Sequence, residues 1–170
     1  MGTLTKIISG GQTGVDQAAL RAAKARGLTI GGWCPPGRAC ESGVIPLEFP
    51  LSETPQDRSP DAPDVPRSQR TGWNVRDSDG TWVIVIGGSN RSGCPTISDP
   101  GMKWTVECAR RYGRPLLVCE VDARNAKEKA EQWLATNPIS TLNIAGPSEG
   151  TSPGIGDLAY HLLQAVLKDL

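Results

Sequence analysis

The sequence predicts an α/β fold built on a mostly parallel sheet of about five or more strands, with helices on both faces. Short apolar, β-branched runs alternate with helix-forming segments along the chain, the pattern of strand–helix–strand units. The run Thr81-Trp82-Val83-Ile84-Val85-Ile86 is apolar throughout, as in a central strand covered on both faces. Three strand ends carry glycine (Gly10-Gly11, Gly87-Gly88 and Gly146), and ligands of such sheets bind beyond the carboxyl ends of the strands. The three glycine ends therefore point to one shared site.

Each element follows in turn. Lys6-Ile7-Ile8-Ser9 reads as a strand broken by Gly10-Gly11. Val15 to Arg26 is Ala-rich and helical, with Gly27 as its stop. Leu28-Thr29-Ile30-Gly31 is a second strand. From Cys34 to Pro66 the chain loses periodicity under Pro35, Pro36, Pro46, Pro50, Pro55, Pro60, Pro63 and Pro66, and a long loop of this kind is functional or disordered. Gln69 to Arg76 is helical, Asp77 to Gly80 a turn, and Met102 to Tyr112 a helix ended by Gly113. Leu116 to Val121 is a strand, Asn125 to Thr136 a helix and Thr141 to Ala145 the fifth strand. In the last helix Ile155, Leu158, Ala159, Leu162, Leu163, Val166 and Leu167 form the apolar stripe. His161 falls on the wet face, which argues against a catalytic role.

At 170 residues the chain has the length of one domain, spanning residues 1–170. With 18 basic and 18 acidic side chains it lacks the basic excess of a nucleic-acid binder. No apolar run approaches the roughly 20 residues of a membrane span, and no leader pattern opens the sequence, so a soluble cytoplasmic protein is expected. Five cysteines form no C-x-x-C pair and His161 is the only histidine, which argues for free thiols rather than a zinc site.

The first glycine loop, Ser9-Gly10-Gly11-Gln12-Thr13-Gly14-Val15-Asp16, has the physics of an anion site: glycines admit close approach, and the following helix aims N–H groups at the ligand. It is neither a dinucleotide fingerprint, because no acidic residue closes the second strand, nor a Walker loop, because no Lys follows Gly14. Asp16 suits either the helix dipole or a ligand hydroxyl or amine, and Thr13 either caps the helix or meets the ligand. Glu107, early in its helix, either complements the dipole or faces the cleft as a ligand contact or acid–base group. Asn74, Arg76 and Asp77 are expected at the opposite edge, as surface hydrogen-bonding residues. Trp33 packs in a core or interface, or stacks on a planar ligand.

Four segments in order carry a resemblance to a known family. They are Ile8 to Asp16, Gly31-Gly32-Trp33-Cys34-Pro35, Trp73-Asn74-Val75-Arg76-Asp77-Ser78-Asp79-Gly80 and Asn143-Ile144-Ala145-Gly146-Pro147. From about Lys6 to the C-terminus the sequence resembles the family named "putative molybdenum carrier". That family is a circularly permuted YpsA-like branch of the Rossmann-like superfamily that includes the DprA and LOG proteins. The resemblance implies a Rossmann-like fold, a homodimer or homotetramer, and binding of the molybdenum cofactor, a pterin with a phosphate and a dithiolene-held metal. Its phosphate is expected on Gly10, Gly11, Gln12, Thr13 and Gly14, with Gly88 and Ser89 assisting. Asp16, Cys34, Arg38, Gly87, Thr105, Glu107 and Gly146 complete the expected site; Cys34, beside the end of the second strand, is by position the thiol nearest the expected cleft and the candidate for metal contact. A molybdoenzyme client is the implied partner. Gly101, Thr105 and Glu107 match the family's G-T-x-x-T-x-E segment, but Met102 stands at its Thr, which removes one hydroxyl, and the loop from Ser89 to Pro100 is long. LOG relatives imply an alternative, a nucleoside monophosphate phosphoribohydrolase with Glu107 as acid–base and Arg91 or Arg38 at the phosphate. A nucleotide-sensing module without catalysis is a third expectation.

Overall fold

A computed structural model describes residues 3–88 and 97–170 of the chain. Its sheet contains β1 (Lys6–Ile8), β2 (Thr29–Gly31), β3 (Gly80–Val85), β4 (Leu116–Glu120) and β5 (Thr141–Ala145). All pairings in it are parallel, in the order β2-β1-β5-β3-β4. Counting from β5 as the first strand turns this into 3-2-1-4-5, the order of a doubly wound nucleotide-binding sheet. The strand that opens such a sheet thus comes last here. Thr3 and Leu4 share a groove with Asp169 and Leu170, so the last helix ends beside the start of β1.

The helices are α1 (Val15–Ala25), α2 (Ser68–Arg76), α3 (Pro100–Arg111), α4 (Ala126–Thr136) and α5 (Ile155–Leu167). Small residues let α1 lie close to the sheet: Ala18, Ala19, Ala22 and Ala23 are fully buried with Ile7, Trp82, Ile144 and Leu163. α4 and α5 complete that layer. The opposite face is covered by α2 and α3, whose Val75, Trp104, Cys108 and Ala109 form a separate cluster. Leu158 departs from the apolar stripe expected of α5. It is 46% exposed, because the sheet and α1 take only the arc from Ile155 through Ala159 and Leu163 to Val166 and Leu167. Among the described residues no helix is long and apolar enough to cross a membrane.

The proline-rich stretch is ordered by a small core of its own. Cys34, Cys40, Ile45, Phe49 and Leu51 pack on Leu20 of α1. Arg38 staples the stretch, its guanidinium donating to the carbonyls of Ile45, Pro46, Phe49 and Leu51. Short pairings hold the rest: Trp33–Cys34 with Ser52–Glu53 in parallel, and Ala39–Cys40 with Gly43–Val44 as an antiparallel hairpin.

Candidate functional site

β5 leads to α5 on one face of the sheet, whereas β3 leads toward α3 on the other. Where neighbouring strands diverge in this way, a crevice opens beyond their carboxyl ends. Here it holds two connected cavities that share Pro66, Arg70, Asp99, Gly101 and Gly146. The inner one, about 70 Å³, is walled by Gly10, Asp16, Asn74, Thr105 and Asn143. The outer one, about 310 Å³, is walled by Gln12, Glu41, Arg67, Ser148 and Thr151.

The first glycine loop delivers Asp16 to the crevice. Asp16 is 2% exposed, accepts the Gln12 N–H at 3.2 Å and pairs with Arg70 of α2 at 3.0 Å. Burial pushes its carboxyl above the usual range, against the opposing pull of the Arg70 guanidinium, the Gln12 N–H and the Ser9 hydroxyl. A buried carboxylate with one strong partner is tolerable only while that partner stays. Arg70 lies across Gly10, where any Cβ would fall within its guanidinium. Among the described residues its buried Nε has no hydrogen-bond partner, an incomplete site for an acceptor.

Arg67 caps α2 in the left-handed region at φ 59, a conformation that disfavours a side chain by about 1–2 kcal/mol. Its backbone N–H is held by Asp57 at 3.1 Å, and its side chain faces the outer cavity. Across from it, Glu41 accepts from the hydroxyls of Ser148 and Thr13 and from the Gly150 N–H. These bonds, Ser148 foremost, hold the Glu41 carboxyl below its ordinary range, with Arg67 adding a smaller pull. Asp99 caps α3 at the same mouth, accepting the Met102 N–H at 2.9 Å.

The crevice gathers Gly10, Gln12, Asp16, Thr105 and Gly146 of the residues expected from the sequence. The other expected residues lie elsewhere or are already engaged. The N–H groups of Gln12 and Thr13 are already taken, by Asp16 and by the Gln12 side chain. The Val15 N–H goes to the Pro147 carbonyl, so these three N–H groups are engaged by the protein itself. Gly11 turns away from the crevice: at φ 79, its missing Cβ would meet Leu51 and Ile45 at 2.6 and 2.7 Å. Gly14 packs on the backbone of Pro147 and Glu149. Thr13 gives its hydroxyl to Glu41 at 2.6 Å. Cys34 is fully buried in the loop core, where burial raises its thiol, and Arg38 is engaged there as a staple. Gly87 abuts the Asp122 carboxylate and Gly88 adopts φ 146, neither of them walling the cavities. Ser89 and Arg91 lie outside the described residues.

Glu107 also lies off the crevice. Arg110 and Arg111 bind its carboxylate at 2.6 and 2.8 Å and draw it down to about 2. Asn74, expected at the far edge, is instead buried against the inner cavity. It bonds both the N–H and the carbonyl of Trp33, at 2.8 and 2.9 Å. Trp33 gives its indole N–H to Asp77 and meets Trp73 edge-on, apart from the crevice. No spacing or composition marks Arg67, Arg70 or Glu41 in the sequence, and Asn143 stands in a segment that carries the resemblance without being assigned to the site.

A permuted doubly wound sheet with a mixed-charge crevice at its switch point defines a Rossmann-like α/β protein. The chain belongs to the circularly permuted YpsA SLOG family, whose model matches residues 7–167. It is similar to a solved structure from Syntrophus aciditrophicus SB named "Putative molybdenum carrier protein", with 38% identity and a TM-score of 0.81. That likeness covers 98% of this chain and 96% of the other. No curated protein matches the chain.

Proposed function

We propose that the crevice binds the molybdenum cofactor for storage or delivery to a molybdoenzyme client, with the ligand's phosphate between Arg67 and Arg70. The observation that carries this reading is the pair of guanidiniums on one 310 Å³ cavity. One is held there in a strained backbone conformation, and the other has a buried Nε without an acceptor among the described residues. Guanidiniums suit the planar, bidentate recognition of phosphate. The volume falls within the roughly 300–1,000 Å³ of small-ligand pockets. The name of the Syntrophus protein points the same way.

The donor set fits the pterin and phosphate parts of the cofactor. Asn143 and Thr105 offer polar edges to a heterocycle from the inner cavity, whereas the Asn74 amide beside them is engaged by the Trp33 backbone. It offers the metal little: among the described residues no cluster of His, Cys, Asp or Glu suits a metal ion, and Cys34 and Cys40 lie in the loop core. The metal would stay on the cofactor's own dithiolene, which supplies its redox chemistry once it reaches a client. The hydrolase alternative loses its acid–base group, since Glu107 is engaged with Arg110 and Arg111 outside the crevice.

The testing variant is Arg67→Gly, because glycine occupies φ 59 without penalty while the guanidinium is lost with the rest of the side chain. Titration with molybdopterin under anaerobic conditions should show about 10- to 100-fold weaker binding, the loss of one or two charge-assisted hydrogen bonds. The melting temperature should not fall. Unchanged affinity in the folded variant would remove Arg67 from the phosphate site.

A further inference from the structure

Three donors from two different glycine loops converge on one carboxylate at the crevice mouth. The Thr13 hydroxyl comes from the loop after β1, and the Ser148 hydroxyl and Gly150 N–H come from the loop after β5. Two hydroxyls and a backbone N–H are what an oxyanion needs. The group they hold is Glu41, which occupies the two-residue turn of the Ala39–Val44 hairpin. Its own N–H is tied to the Gln12 side chain at 2.9 Å. Glu41 and Ser148 line the outer cavity together with Arg67 and Arg70. A Cβ at Gly150 would lie 2.6 Å from the Glu41 carboxylate, so the carboxylate sits close against the loop backbone.

We propose that Glu41 is a resident stand-in for the ligand's anionic group, filling an oxyanion subsite made by Thr13, Ser148 and Gly150 until a phosphate displaces it. Displacement frees the hairpin tip, so loading the crevice and loosening residues 39–44 are one event. The electrostatics favour exchange once a ligand is present. A phosphate dianion that enters this subsite beside Arg67 cancels the attraction Arg67 exerts on Glu41 and adds like-charge repulsion. The carboxylate and the phosphate compete for the same donors, so the carboxylate acts against binding. This inference rests on the reading of the crevice as an anion site, and it predicts a gain of affinity where a simple contact residue would predict a loss.

Inorganic phosphate serves as the probe, titrated by calorimetry into wild-type protein, Glu41→Ala and Glu41→Gln. Thermal melts establish that the variants fold, and Glu41→Gln preserves the side-chain shape if the alanine variant does not. Phosphate should bind at least about tenfold more tightly once the carboxylate charge is gone, equivalent to ~1.4 kcal/mol. In wild-type protein, saturating phosphate should speed proteolytic cleavage within residues 39–44. Unchanged or weaker phosphate binding in the folded variants overturns the stand-in, as does protection of the hairpin by phosphate. Loss of molybdopterin binding by wild-type protein would instead overturn the function proposed above, whatever inorganic phosphate does.

Discussion

The Arg70 guanidinium lies over the Cα of Gly10, in the space a side chain there would fill. From that position it meets the buried Asp16 at 3.0 Å and faces both cavities of the crevice. Gly10 is therefore required for the room it leaves to Arg70. Gly10→Ala should displace Arg70, destabilise the protein by about 1–3 kcal/mol through overpacking, and weaken ligand binding. Urea unfolding with parallel calorimetry reads both effects. A fully stable, fully binding variant would contradict the assignment.

Removing Arg70 itself leaves Asp16 buried without its counter-charge. Arg70→Met should destabilise by about 3–5 kcal/mol at neutral pH. Asp16 already has a folded-state value above 3.8, so the folded state takes up a proton more readily than the unfolded chain. The stability penalty of its charge is thus present at neutral pH. It lifts as pH falls through the raised value toward 3.8, and the deficit of Arg70→Met should shrink over that window. A deficit independent of pH in denaturant unfolding would mean that Asp16 is not its source.

Gly11→Val tests the loop rather than the ligand. The substituted residue would need φ 79 and would push into Leu51 and Ile45, unseating the core of the proline-rich stretch. A loss of about 1–3 kcal/mol is expected, with earlier proteolysis between residues 40 and 60. A resistant, stable variant would contradict this packing.

Cys34→Ala and Glu107→Gln should leave molybdopterin affinity unchanged. Cys34→Ala should destabilise by about 1–2 kcal/mol, because it opens a small void among Leu20, Ile45 and Phe49. Glu107→Gln releases Arg110 and Arg111 on the outer side of α3. Calorimetric titration of each variant checks both, and a tenfold loss of affinity in either would return that residue to the site.

The elements were legible because they depend on local signals. The unbroken apolar run of β3 and the Ala-rich α1 each carry their pattern within one window, and glycine after β1, β3 and β5 marks the carboxyl ends where the crevice lies. The residues that charge the crevice were not legible. Arg67 and Arg70 begin a helix that local sequence shows only as polar, and what matters is that α2 runs across the end of β1. Glu41 sits in a turn 28 residues after the Thr13 it binds. In the sequence Cys34 stands beside the end of β2, which suggests a place at the crevice, and Arg38 is expected there only through the resemblance. The side chains instead turn into a small core and a set of carbonyls that only the folded proline-rich stretch creates.

The most direct test of the central claim is native mass spectrometry of protein purified without oxygen from a cell that makes the molybdenum cofactor, alongside Arg67→Gly. The account predicts a retained mass of a pterin phosphate, with or without its metal, on the wild-type protein and its loss from the variant. A retained nucleotide, a pterin phosphate kept equally by both proteins, or no ligand on either would contradict it.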